Sequence, residues 1–197
     1  MVLISVEGLI GAGKSLLCEI LKDHDFTVVV EPVEMWDNAF TAFYNDPKKY
    51  ACMFQTLVLR TRVEQLREIS NGFVERCVHS DKLFGTVQHA LKNMDDIEYF
   101  TYLYQYKQAV TDTKTIRGHI YVRTSVDTCI KRICQRNRDG EDGISKDYML
   151  MLEAEHEKWL NNEENVLIID GEADFRSPDV VQKIVRQIKF FITHRII

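Results

Sequence analysis

Short runs of β-branched and apolar residues alternate along the chain with longer stretches in which apolar positions recur at helical spacing. The short runs predict strands at Leu3–Val6, Thr27–Val30, Phe73–Val74, His119–Val122 and Val166–Ile169. Strands alternating with helices in this way predict an α/β fold, a parallel sheet of about five strands with helices on both faces. With only three prolines and no low-complexity segment, repeat or linker, one domain spanning 1–197 is expected. The stretch from Ile97 to Val110 departs from the pattern. Tyr99, Phe100, Tyr102, Tyr104 and Tyr106 are too many aromatics for one narrow helical stripe, which leaves part of that surface for a partner.

Ligands of open α/β sheets bind beyond the carboxyl ends of the strands. Glu7, Glu31, Glu75, Arg76 and Asp170 all fall at such ends and are expected to share one rim. The first strand runs into "VEGLIGAGKSLLC", where Gly8 is followed after four residues by Gly13, Lys14 and Ser15, and then by an apolar helix. That is a phosphate-binding loop, residues 8–15, in its required strand and helix context. Gly8, Gly11, Ala12 and Gly13 would turn backbone N–H groups toward phosphate oxygens at a helix N-terminus. Lys14 would add a cation at the β/γ-phosphates, and the Ser15 hydroxyl would ligate the Mg2+ of a nucleoside triphosphate.

Composition narrows the class. A net charge of −5 disfavours a general nucleic-acid grip. The five cysteines are odd in number and form no C-x-x-C, which suggests neither a disulfide framework nor a zinc site and fits a reducing cytoplasm. No apolar run approaches the ~18 residues that span a membrane, and the N-terminus enters a strand directly, so neither an anchor nor a signal peptide is expected.

Six further stretches, "EPVEMW" (31–36), "MFQ" (53–55), "ERCVHSD" (75–81), "RICQRNRDGEDGI" (132–144), "HEKWL" (156–160) and "DGEADF" (170–175), follow in order over almost the whole chain. Together they resemble the cellular deoxynucleoside kinases, the deoxycytidine and deoxyguanosine kinase group most closely. The resemblance implies an ATP-dependent and Mg2+-dependent kinase acting on the 5′-hydroxyl of a deoxynucleoside in nucleotide salvage, on a P-loop kinase fold. Glu31 would be the general base, Arg76 would steady the hydroxyl and the developing charge, and Glu75 would hold magnesium with Ser15. Residues 132–143 would form a lid whose Arg132 and Arg136 act on the transferring phosphoryl group. Arg138, Asp170 and Phe175 would attend the donor nucleotide. Tyr44 and Glu141 would share the sugar 3′-hydroxyl, Trp36 and Phe54 would wall the base, and Gln55 would bond its edge.

The pair Arg62 and Asp81 matches the ion pair that this group places over the exocyclic edge of the base. It favours deoxycytidine or a deoxypurine, with thymidine the alternative. The same resemblance turns the aromatic stretch at 97–110 into a homodimer surface. The chain departs from the family at three places: Leu9 replaces the loop asparagine, Gly140 replaces the acid before Glu141, and Gly85 stands where the base-stacking phenylalanine is expected, with Phe84 one residue earlier. His156 is read as a packing residue. The competing readings are a nucleoside monophosphate kinase, which needs a cationic acceptor site, and a non-enzymatic nucleotide switch, for which no N-K-x-D signature exists.

Overall fold

The computed structural model describes residues 2–138 and 140–196. Five strands, β1 (Leu3–Glu7), β2 (Val28–Val29), β3 (Gly72–Glu75), β4 (Ile116–Arg123) and β5 (Val166–Asp170), form one sheet in the order β2-β3-β1-β4-β5. Every pairing is parallel. All five expected strands are present. Most run a residue or more beyond their expected ends, whereas β2 keeps only two residues because it is an edge strand held by Phe73 and Val74 alone.

The central strand β1 is buried throughout, and its alternation divides the core. Ile4 and Val6 face one cluster with Leu17, Leu21, Ile120, Val122, Met149, Leu152 and Ile188. Leu3 faces the other, with Leu59, Val63, Leu66, Val74 and Tyr102. The first cluster is closed by α1 (Lys14–Asp23), α6 (Val126–Arg136), α7 (Lys146–Leu160) and α8 (Pro178–Phe191). The second is closed by α3 (Pro47–Glu68), α4 (Val78–Ala90) and α5 (Asp96–Asp112). The short α2 (Asp37–Asn45) packs on the start of α3 through a third cluster of Trp36, Phe43, Phe54 and Val58.

Local chemistry fixes the helix starts. Pro47 opens α3 with Asp46 accepting from the Lys49 N–H, and Asp95 and Glu98 form a reciprocal cap at the start of α5. Two helices meet unusually closely at Gly85. A Cβ there would lie 2.2 Å from Tyr102 Cε1, and Tyr102 is fully buried with its hydroxyl donating to the Asp81 carbonyl at 2.7 Å. The space of the absent side chain is therefore occupied by a tyrosine from α5. Gly85→Ala is expected to destabilise the protein by about 1–3 kcal/mol by overpacking, despite the better helix propensity of alanine. Thermal denaturation checks this: an unchanged or higher Tm would mean that Tyr102 does not hold that space.

Candidate active site

A cleft of about 1320 Å3 opens at the carboxyl ends of β1, β2 and β3. Its donor end is the loop from Gly8 to Ser15. Gly13 adopts φ 103°, a left-handed conformation that only glycine takes without strain, and it begins α1 with no side-chain cap. The first-turn N–H groups of α1 are thus open to an anion. Gly11 meets a steric limit, since a Cβ would lie 2.7 Å from the Cys129 carbonyl oxygen. Lys14 is 6% exposed and its Nζ donates to the Leu9 carbonyl at 2.8 Å. Burial, joined by the Arg76 charge, brings the Lys14 ammonium down to about 8 against the pull of Glu75, Glu31 and Glu7.

Ser15 Oγ donates to Glu75 Oε1 at 2.8 Å, so a hydroxyl and a carboxylate converge beside the open helix end. Two hard oxygen donors next to a phosphate cradle fit Mg2+.

The acceptor end is built around one guanidinium. Arg62, 1% exposed on α3, donates Nη2 to Glu31 Oε1 at 2.6 Å, Nη1 to the Glu75 carbonyl at 2.9 Å, and Nε and Nη2 to the two Asp81 oxygens at 3.2 Å each. Burial alone would push the Glu31 carboxyl up, but Arg62, Arg76 and Lys14 together outweigh it and hold the group below the usual carboxylate range. Glu31 is therefore ionised at neutral pH, as a proton acceptor must be. Burial pushes the Asp81 carboxyl up, with Arg62 pulling against it. The two-oxygen fork on Arg62 is the geometry of an ionised carboxylate.

Arg76 stands 3.6 Å from Glu31 Oε1. It has φ 62° and a buried Nη1 without a hydrogen-bond partner, and its guanidinium carbon lies 4.7 Å from the Phe84 ring centroid. Strain together with a donor left open beside a buried carboxylate is a feature of functional sites.

Aromatic walls close the acceptor end. Phe54 stacks on Phe43 at 4.9 Å and meets Trp36 edge-on, while Trp36 is fixed by its indole N–H to Thr61 Oγ1 at 3.0 Å. Gln55 and Tyr44 line the same space, and among the described residues no side-chain bond to either is formed. Glu141, 3% exposed, is held by Arg136 in a two-pronged pair at 2.7 and 3.2 Å and by Arg138 at 3.6 Å. Asp139, within the expected lid, lies outside the described residues.

Two expectations for the rim are corrected. Glu7 does not reach it: the alternation of β1 turns this side chain into the interior, where it is 0% exposed. Asp170 does not line the cleft either; its Oδ1 instead accepts the Glu172 N–H at 2.9 Å and shapes the turn after β5. Phe175, also outside the cleft lining, is buried under the donor end, 3.9 Å from where a Cβ on Gly13 would stand. Ala12, likewise buried, offers its carbonyl to Arg132 Nη1 at 3.1 Å, and Arg132 Nη2 reaches the Gly171 carbonyl at 2.8 Å. In this conformation Arg132 braces the phosphate loop against the turn after β5.

The remaining residues, Lys14, Ser15, Glu31, Trp36, Tyr44, Phe54, Gln55, Glu75, Arg76, Asp81, Arg132, Arg136, Arg138 and Glu141, share the cleft. Tyr148, Phe40 and Phe43 line it too and carry no sequence motif. They reach it through the tertiary packing of α7 and α2, which no local pattern announces.

A parallel sheet, a phosphate loop on its central strand and a carboxylate at the next strand end define a P-loop kinase. The chain belongs to the deoxynucleoside kinase family, whose model matches residues 4–193. It is 39% identical over 188 residues to a fowlpox virus protein named as a probable deoxycytidine kinase, covering 87% of this chain and 80% of that one. It is 28% identical over 241 aligned residues to human deoxycytidine kinase, covering 96% and 90%. The solved structure of deoxyadenosine kinase from M. mycoides with bound dCTP superposes with a TM-score of 0.83 at 29% identity, over 95% of this chain and 99% of that one. The same kinase has also been solved with bound dATP, at a TM-score of 0.82.

Proposed function

We propose that the chain phosphorylates the 5′-hydroxyl of deoxycytidine or a deoxypurine in preference to thymidine, with ATP as donor. The observation that carries this reading is the buried Arg62–Asp81 fork set 2.6 Å from Glu31, because it places a base-reading carboxylate and a proton acceptor on one guanidinium. Asp81 accepts from an exocyclic amino group of cytosine or adenine, and Gln55 donates and accepts in the plane of the base. Thymine would set a carbonyl oxygen and a methyl group against that acceptor, which offers them no donor. Named relatives support the choice, since the human one is a deoxycytidine kinase and the fowlpox virus one is named as a probable deoxycytidine kinase.

In the reaction, Glu31 takes the proton of the 5′-hydroxyl while Arg76, with its open Nη1, holds the hydroxyl oxygen in line. Lys14, the N-terminus of α1, Arg132, Arg136 and Arg138 attend the donor phosphates, with Phe175 packed beneath the loop that holds them. Ser15 and Glu75 would hold Mg2+, which would supply charge neutralisation for the transferring group. Tyr44 and Glu141 fix the 3′-hydroxyl. Residues 132–143 act as the lid, within a single domain over 1–197.

Ile97, Phe100 and Tyr104 are 77%, 71% and 61% exposed on α5, and Met53 on α3 is 57% exposed. An apolar face of this kind supports a homodimer through α3 and α5. All five cysteines are free, and no helix among the described residues is long and apolar enough to cross a membrane. The free thiols fit a reducing, cytoplasmic setting.

The test is the double variant Arg62→Met with Asp81→Ala. It should raise kcat/KM for thymidine relative to deoxycytidine by about tenfold or more, as expected when a site loses a buried polar discriminator. A wild type that already favours thymidine, or an unchanged ratio in the variant, overturns the base preference.

A further inference from the structure

Behind the cleft, on the sheet face that carries Leu3, four polar groups meet in the core. Glu7 at the end of β1 is 0% exposed and neither carboxyl oxygen has a hydrogen-bond partner. Cys77, which follows Arg76 and starts α4, is also 0% exposed. His119 on β4 is 5% exposed, and its Nδ1 lies 2.7 Å from Ser5 Oγ. A carboxyl oxygen of Glu7, the Cys77 sulfur and a ring nitrogen of His119 all fall within 4.8 Å of one another.

We propose that Glu7, Cys77 and His119 form a buried site for a borderline divalent metal ion, Zn2+ in the cell, beneath the acceptor end of the cleft. The donor set is one oxygen, one sulfur and one nitrogen, the mixture that selects zinc over magnesium or calcium. Ligand atoms around a tetrahedral zinc stand about 3.5 Å apart, so the cluster needs to contract by roughly 1 Å. Ser5 Oγ orients the His119 ring, as outer partners of metal-bound imidazoles do, and a water completes the fourth position.

A divalent ion there keeps the interior in charge balance, as a wholly neutral cluster also would. Lys14, Arg62 and Arg76 already face Glu31, Glu75 and Asp81 across the cleft, three against three. An ionised Glu7 alone adds a fourth anion in the interior, where an unpaired charge is very costly. Glu7 and Cys77, both deprotonated on a divalent ion with a neutral His119, add no net charge. The three donors come from β1, the β3–α4 junction and β4, so the ion would tie three neighbouring strands beneath Arg76. They are far apart in the chain, and no zinc spacing announces them.

The experiment uses the intact protein without nucleotide, in excess Mg2+ so that the Ser15–Glu75 position is filled. Protein expressed with added zinc is expected to retain about one Zn2+ per chain through gel filtration, measured by elemental analysis. After chelation and reloading with Co2+ it should show the visible bands of a tetrahedral site and a near-ultraviolet thiolate-to-cobalt charge-transfer band. Cys77→Ser should abolish the charge-transfer band, and His119→Ala should weaken Co2+ binding at least about tenfold. Should either variant misfold, the metal content and cobalt spectrum of the wild type decide by themselves. Wild-type protein that retains no zinc and shows no thiolate band overturns the proposal, as does stoichiometric binding unaltered in both variants; Glu7 is then a neutral, protonated acid.

Discussion

Replacing Glu31 by Gln is expected to lower kcat by about 10²- to 10⁴-fold while changing deoxynucleoside affinity by less than about tenfold. The amide oxygen can still accept from Arg62, 2.6 Å from the present carboxylate, so the pocket keeps its shape. What is lost is the capacity to take a proton. The depressed carboxyl of Glu31 gives this a pH signature: the base is active above its folded pKa, which lies under the usual value of 4.5. The acid limb of kcat/KM attributable to Glu31 should therefore fall below that of an ordinary glutamate. Near-normal kcat in the Gln variant removes Glu31 from the base role.

Lys14→Ala is expected to reduce kcat/KM for ATP by about 100- to 1,000-fold, the loss seen when a preorganised donor to developing charge is removed. Lys14 is buried, and Nζ is already turned onto the Leu9 carbonyl at 2.8 Å, so little reorganisation is needed when phosphate arrives. With its ammonium brought down to about 8, the nucleotide-free protein loses this charge as pH rises through that value. Triphosphate affinity should weaken above about pH 8, and bound triphosphate should push the ammonium back up. Titrations of ATP binding between pH 7 and pH 9 measure this directly. Affinity that stays flat in the wild type, or an unchanged kcat/KM in the variant, contradicts the placement of the cation at the phosphates.

Much of the candidate donor site was legible in the sequence, because the phosphate loop is a local device: its glycines, lysine and serine lie within residues 8–15, between a buried strand and a helix. The acceptor end was legible only through motifs, and the structure supplies its logic, a single Arg62 side chain joining Glu31 to Asp81 from three separate segments. Glu7 was misplaced because position at a strand end does not say which way the side chain turns; β1 is covered on both faces, so its alternation carries no polar face to read. Gly85 was legible as a departure but not as a packing site. Its meaning depends on Tyr102, a residue on another helix. Tyr148 and Phe40 had no signal at all, since their roles come from how α7 and α2 settle on the rest.

The choice of acceptor is the most direct test of the whole reading. A nucleoside kinase leaves room at Glu31 for a hydroxyl, whereas a monophosphate kinase must hold an acceptor phosphate with cations. The purified protein should be incubated with ATP and Mg2+ and, separately, with deoxycytidine, deoxyadenosine, deoxyguanosine, thymidine and their 5′-monophosphates, and the products resolved by ion-exchange chromatography. Formation of 5′-monophosphates, fastest per unit concentration from deoxycytidine or a deoxypurine, is the predicted result. Diphosphate formation from the monophosphates with the nucleosides left untouched would contradict it.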